Sequence, residues 1–344
     1  MADVEESTPL HIIGWRYREY DFMEMFFKIN DDLQQTVQVN ARDELGNTPL
    51  HVAMSYYNKK IPESLLRRGA DPNSANEKGS TPLHIICQRE QNNEDDFAEL
   101  FFRINDDIQQ TVQVDARDNL GRTPLQLAVA NRLPHVIDIL LDRGANLSSF
   151  VFPTESYFVE GFRKGLCENR YEFKFRLAFC ALSVVERLEK RGHELSRNDA
   201  LTIMNTLFKH NIFFNFSPLE IWRSDEEFAI AAKKITVSPS LSLYDLIQLP
   251  YEEAAKKLTY TDYFKLCGSI GLQSLGYENG EDYIVYLCGI MWREFFRRWA
   301  LDLFLELTRY RLPILCCDMI MKELKNKDFL HICWAATGRN SWWR

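Results

Sequence analysis

The 344-residue chain lacks the compact motifs by which many catalysts announce themselves. There is no G-x-x-x-x-G-K-[ST], no H-E-x-x-H and no G-x-S-x-G, and Gly268-Ser-Ile-Gly271 has neither the preceding strand nor the lysine of a phosphate loop, so it reads as a helix stop. The eight cysteines form no C-x-x-C pair and no framework of the kind that staples small secreted domains. Reduced, mostly buried thiols are expected, and Cys316, Cys317, His331 and Cys333 lack the spacing of a zinc site. No cofactor or metal is therefore expected, and the chain reads as a non-enzyme. The stretch Tyr283 to Trp292 is too short to cross a bilayer, and the acidic start Met-Ala-Asp-Val-Glu-Glu lacks the basic and apolar regions of a secretory signal. A cytoplasmic or nuclear location is expected. Basic excess is missing where nucleic acid would need it: residues 1–150 carry 15 Lys+Arg against 24 Asp+Glu. Arg293, Arg297 and Arg298 with Trp292 and Trp299 read as a helical core with arginines at its rim, not as a nucleic-acid patch.

What the chain does have is repetition. Asp21 to Leu50 returns as Asp96 to Leu125 with 23 of 30 positions unchanged. Within that duplication lies a shorter period, because Thr-Pro-Leu-His or a near copy begins at Thr8, Thr48, Thr81 and Thr123, spaced 40, 33 and 42 residues apart. Threonine can cap a helix N-terminus, proline at the first helical position gives up an amide that has no partner there, and Leu50 and Ala53 begin a buried stripe. Gly69, after Leu65-Leu66-Arg67-Arg68, supplies the left-handed residue that stops a second helix.

The 33-residue spacing, the Thr-Pro-Leu-His openings, and the closings Gly69-Ala-Asp-Pro-Asn73 and Gly144-Ala-Asn146 resemble ankyrin repeats. The resemblance implies an all-α solenoid of about four repeats over residues 1–149 that binds another protein. Its contact residues would be finger and inner-face side chains: Arg42, Glu44 and Asn47; Asn76 and Lys78; Arg117, Asn119 and Arg122. His11, His51 and His84 occupy the repeat signature, where imidazole would bond the neighbouring turn. The longer copies each carry six extra residues after the outer helix, where Thr-Val-Gln-Val alternates as an extended segment would. Those insertions read either as binding loops or as a tolerated insertion copied by duplication. Thr8 opens the first repeat so early that the stack either begins exposed or belongs to a truncated gene product.

After Leu147 the pattern stops and Ser-Ser-Phe-Val-Phe-Pro reads as a connector. Residues 150–234 read as a helical connecting region. Helices are expected over Phe173 to Lys190, Asp199 to Lys209 from Ser196, Phe228 to Ile235 behind a Ser224/Glu227 capping box, Ser242 to Leu249, Tyr251 to Leu258, Thr261 to Leu266, and Asp282 towards Arg309. From Ile235 to Ala336 the blocks Ser240-Leu-Ser-Leu-Tyr-Asp-Leu-Ile, Tyr260-Thr-Asp-Tyr-Phe, Phe295-Phe-Arg-Arg-Trp-Ala-Leu-Asp-Leu-Phe-Leu-Glu-Leu and Arg311-Leu-Pro-Ile resemble the PRANC domain, which follows ankyrin repeats in poxvirus, endosymbiont and parasitoid-wasp proteins. This gives an expected domain at 235–336 and a tail at 337–344.

Within it, residues 311–334 resemble an F-box, with Leu312-Pro313, Ile320-Met321, Leu324 and Asp328-Phe329 on that family's offsets. Leu315 departs from it, standing where many F-boxes have glutamate. Periodicity alone gives two short amphipathic helices whose apolar face is either buried at home or offered to a partner. The resemblance implies the second: Leu312, Pro313, Ile320, Leu324 and Phe329 would dock on the adaptor of a cullin ubiquitin ligase. The chain would then be a non-catalytic adaptor that presents a bound target for ubiquitination. The alternative is a ligase-independent inhibitor or scaffold that masks a signalling protein such as a transcription factor of innate immunity.

Overall fold

The computed structural model describes residues 7–15, 20–56, 58–89, 97–154, 157, 170–210, 212, 226–238, 240–258 and 277–338. It divides into two compact units, Met1–Pro153 and Thr154–Arg344.

The first unit is the expected stack. Its helices are α1 (Pro9–Trp15), α2 (Tyr20–Asp32), α3 (Pro49–Met54), α4 (Lys60–Arg67), α5 (Pro82–Cys87), α6 (Phe97–Asp107), α7 (Pro124–Ala130) and α8 (Pro134–Asp142). Odd-numbered inner helices pack on one another in sequence, and so do the even-numbered outer ones. Neighbouring turns thereby bury Leu50, Ala53, Leu65, Leu83, Leu125 and Leu140, so no single repeat has a core of its own.

One side chain in each repeat joins these layers. The Thr48 amide donates to His51 Nδ1 at 3.1 Å, and His51 Nε2 lies 2.9 Å from the Ser80 carbonyl in the next repeat. An Nδ1 that accepts an amide must be unprotonated, so Nε2 carries the hydrogen and donates it. His11 repeats this with Thr8 (3.2 Å) and the Asn47 carbonyl (2.9 Å), and His84 with Thr81 (3.1 Å) and the Arg122 carbonyl (3.0 Å). In the fourth repeat Gln126 does the same work: Oε1 accepts from the Thr123 amide at 2.9 Å and Nε2 donates to the Val151 carbonyl at 3.0 Å. The histidines of the signature are thus structural, as the sequence implies.

The six-residue insertions form no strand. Residues 35–39 and 110–114 run as loops in which Val37, Val39, Val112 and Val114 are half-buried while Thr36, Gln38, Thr111 and Gln113 are exposed, the alternation of an extended chain without a ladder. They are tied to the short repeat between them by one side chain at each joint. Asn40 Nδ2 donates to the Gly69 carbonyl while its Oδ1 accepts from the Asp71 amide, and Asn73 does likewise with the Thr111 carbonyl and the Gln113 amide.

The second unit is built round one long helix. Its elements are α9 (Arg170–Lys190), α10 (Arg197–Lys209), α11 (Glu226–Lys234), α12 (Leu243–Gln248), α13 (Tyr251–Lys257), α14 (Tyr277–Leu307), α15 (Ile314–Glu323) and α16 (Asn326–Ala336). Ser196 caps α10, accepting from the Asp199 amide, and Ser242 caps α12 with Asp245 in the same way. Between α11 and α12 a short antiparallel pair, β1 (Thr236–Ser238) and β2 (Leu241–Ser242), departs from the all-helical expectation. Helix α14 packs on α9, α13, α15 and α16, and its Trp292 is fully buried with Nε1 donating to the Ala178 carbonyl at 3.1 Å. The connecting region and the C-terminal segment therefore share one core. The expected Ser224 cap, the Thr261 to Leu266 helix and Gly268-Ser-Ile-Gly271 lie outside the described residues.

Burial holds His51 and His84 below the ordinary histidine value of 6.5, so the unfolded chain takes up protons first. The stability that these two neutral imidazoles contribute is then full above about pH 6.5 and is lost as pH falls below it, through the lower folded-state values. Because Gln126 already reproduces the neutral imidazole, His51→Gln/His84→Gln should flatten this dependence; melting temperatures across that range check it.

Candidate functional site

Two surfaces carry the residues expected at partners: the finger tips of the first unit and the α15–α16 helix pair of the second. The fingers are tight turns built on an acidic or amide side chain. Asp43 Oδ1 accepts from the amides of Leu45 (2.9 Å) and Asn47 (2.8 Å), Asp118 from Leu120 (3.0 Å) and Arg122 (2.9 Å), and Asn76 from Lys78 and Ser80 (both 3.0 Å). The fingers are also bonded to one another. The Glu77 amide donates to the Leu45 carbonyl at 3.1 Å and the Asn119 amide to the Lys78 carbonyl at 2.9 Å. At Gly79, φ is +72° and an added Cβ would lie 2.7 Å from the Asn119 amide nitrogen, so both conformation and proximity demand glycine.

This ladder consumes most of the contact residues expected from sequence. Asn76 Nδ2 donates to Asn47 Oδ1, Asn119 Nδ2 to the Glu77 carbonyl, Arg42 to the Ala75 carbonyl and Arg117 to the Gly121 carbonyl. Arg122 is ion-paired at 2.6 Å with the buried carboxylate of Asp118. Those side chains fix the fingers in register. Glu44 and Lys78 remain at the exposed tips, joined by two leucines that the sequence analysis did not single out, Leu45 and Leu120. Leu45, Lys78 and Leu120 hold the same place in successive fingers, an apolar–basic–apolar row. Aligning the three Gly-bearing turns would have exposed it.

On the outer side, the duplication sets one grouping twice. Arg68 pairs with Asp31 at 2.8 Å and lies 4.7 Å from the Phe27 ring, and 75 residues on Arg143 pairs with Asp106 at 2.7 Å and lies 4.8 Å from the Phe102 ring. The second grouping lines a groove closed by the inserted Gln109, Gln110, Thr111, Val112 and Val114.

The C-terminal pair is held from inside by one arginine. Arg293 of α14 is buried, and its guanidinium donates to the carbonyls of Met321 (3.0 Å), Lys322 (3.3 Å) and Leu324, capping the last turn of α15. The same group lies 4.5 Å from the Phe329 ring of α16, and Glu252 Oε1 approaches it at 3.7 Å. Asn326 Nδ2 donates to the Gly289 carbonyl at 2.8 Å, and Asp328 accepts from the Lys325 amide at 2.8 Å to cap α16. Arg297 pairs with Asp318 and Arg298 with Glu189. The arginines are therefore a buried cap and rim ion pairs, in keeping with the reading of this helix as core.

The helix pair sorts its apolar residues into two sets. Cys317, Met321, Phe329, Leu330 and Cys333 are buried, and burial pushes the Cys333 thiol up to about 12. Facing out are Leu312, Pro313, Ile314, Leu315, Met319 and Ile320, of which Leu315 is 74% exposed. Among the five residues expected at a partner, Leu312, Pro313 and Ile320 are on this face and Leu324 is half-buried. Phe329 is corrected: it is completely buried beneath Arg293, because the two helices close their own core around that ring. Ile314, Leu315 and Met319 are the exposed residues missed from sequence. The excess of apolar positions round one short helix was the available signal.

Among the described residues no group of His, Cys, Asp and Glu is arranged to hold a metal, and no helix is long and apolar enough to cross a membrane.

Comparison with known proteins identifies the repeats. Residues 57–150 match the model of ankyrin repeats in three copies. A putative ankyrin repeat protein of Rickettsia bellii (strain RML369-C) is 30% identical over 142 residues, 40% of this chain and 37% of the relative's own length. The first unit is an ankyrin solenoid, a repeat type that typically serves as a non-enzymatic module for protein interaction.

Phe329→Ala should lower the stability of the second unit by about 3–5 kcal/mol through loss of a buried ring. Ile314→Ala or Met319→Ala, on the outer face, should change it by no more than about 0.5 kcal/mol. Denaturant unfolding followed by tryptophan fluorescence separates the two.

Proposed function

We propose that the chain is a non-catalytic adaptor: its ankyrin arm grips a target protein, and its C-terminal helix pair docks on the adaptor subunit of a cullin ubiquitin ligase, which brings the target to ubiquitin transfer. The observation that carries this reading is the outward apolar face of α15. Leu312, just before the helix, and Ile314, Leu315, Met319 and Ile320 on it are exposed, while Cys317 and Met321 anchor it by burial. An apolar helix face of this kind suits burial in a partner's groove. Each such side chain would contribute up to about 1.5–3 kcal/mol when fully removed from water. Leu315 extends the face where the F-box pattern has glutamate, which makes it more apolar than the family's own.

Target binding rests on the arm. The row Leu45–Lys78–Leu120, flanked by Glu44, offers two apolar contacts around one cation on a rigid frame. The remaining expected residues, Arg42, Asn47, Asn76, Arg117, Asn119 and Arg122, support that row through the finger ladder. Tethering target and ligase through one chain raises their effective concentration without any new contact between them.

Full-length chain should capture the cullin adaptor and neddylated cullin in pull-downs. Leu315→Glu and Ile320→Lys, on exposed positions, should weaken capture at least about tenfold, equivalent to losing about 1.4 kcal/mol, with melting temperature unchanged. If the unaltered chain captures neither protein, the ligase reading is wrong and ligase-independent masking of a target is the function to pursue. In either case Leu45→Asp/Leu120→Asp should abolish target binding by the arm.

A further inference from the structure

Neither the finger row nor the face of α15 uses the inserted loops, although Gln34 to Val39 and Gln109 to Val114 are identical residue for residue. In the second loop one amide side chain fixes the direction of the backbone. Asn73, from the preceding repeat, donates to the Thr111 carbonyl at 2.7 Å and accepts from the Gln113 amide at 2.8 Å. In an extended chain the backbone groups of residues two apart point to one edge, and those of the residue between them to the other. The Val112 N–H and C=O therefore face away from Asn73, towards the following repeat, and neither has a partner among the described residues. Val37 of the first loop is likewise unpaired among them. Beside Val112 lies a groove of about 410 Å³ lined by Gln110, Val112 and Val114 of the loop, by Phe102 and Asp106 of α6, and by Arg143 of the following repeat.

We propose that each inserted loop is a docking edge for an extended segment of a partner protein, which adds as a strand and pairs its backbone with Val112, or with Val37 in the first loop. The second loop already bonds an amide along one edge, because the Asn73 carboxamide carries the donor and acceptor of a peptide group. A peptide on the opposite edge completes the ladder, and an edge of unpaired N–H and C=O groups is the template for that addition. Alternate side chains give the specificity. Those on the side of half-buried Val112 and Val114 are apolar, and those between them face solvent with Thr111 and Gln113. Residues 1–150 carry 24 Asp+Glu against 15 Lys+Arg, so basic residues flanking the segment complement the arm.

The probe is a blocked peptide of alternating valine and threonine with lysine at each end, titrated into the full chain carrying isotope-labelled valine. The amide resonances of Val37 and Val112 should shift and gain protection from exchange. Val37→Pro/Val112→Pro removes both donors while leaving the Thr111 and Gln113 bonds to Asn73, and should weaken binding at least about tenfold with melting temperature unchanged. The same peptide N-methylated along its backbone should not bind, and one with glutamate ends should bind more weakly. A peptide that leaves both resonances unmoved overturns the proposal, as does full binding by the proline variant or equal binding of the methylated or glutamate-ended peptide. A dimer that forms without peptide and is lost in the proline variant would overturn it too, by making a second copy the occupant. Leu45→Asp/Leu120→Asp should leave peptide binding unchanged, so the loops and the finger row are decided separately.

Discussion

The first unit depends on a single kind of side-chain bridge, an acceptor and a donor held a fixed distance apart three residues into each inner helix. The acceptor satisfies the amide of the capping threonine, which the helix leaves without a partner. The donor reaches the carbonyl of the next repeat's threonine-preceding residue, Asn47, Ser80 or Arg122, and in the last repeat that of Val151. Local helix initiation and long-range stacking are thus one event. A repeat that fails to start its helix also fails to hold its neighbour, so stability has to spread along the stack from repeat to repeat.

The second unit meets a comparable demand with a charge. Burying Arg293 would be costly by itself. Three carbonyls at the end of α15, the Phe329 ring and nearby Glu252 compensate for it. The arrangement closes α15 and α16 onto α14, with Phe329, Leu330 and Cys333 inside. Ile314, Leu315, Met319 and Ile320 of α15 then stay exposed among the described residues.

Much of this was legible in the residues. Thr-Pro-Leu-His encodes a helix start because cap, proline and bridge are contiguous, and the aromatic run around Trp292 could hardly be anything but core. The inserted loops were located by counting. What stayed hidden was the use of side chains with two possible jobs. Asn47, Asn76 and Asn119 lie on the fingers as expected, yet an amide can brace a turn as readily as bind a partner, and only the positions of the neighbouring carbonyls decide. Phe329 and Leu315 show the same ambiguity on helices: both are apolar, and periodicity marks a face without saying which way it looks. The tip leucines were overlooked because a lone exposed leucine means little until three fingers are superposed.

The exchange of histidine for glutamine at position 126 gives the stack a direction. The bridges of His51 and His84 can be switched off by a proton, whereas the one at the Val151 end has no titrating group. Acid would then fray the solenoid asymmetrically, loosening the joints on either side of the third repeat while the fourth repeat's bridge to Val151 stayed latched.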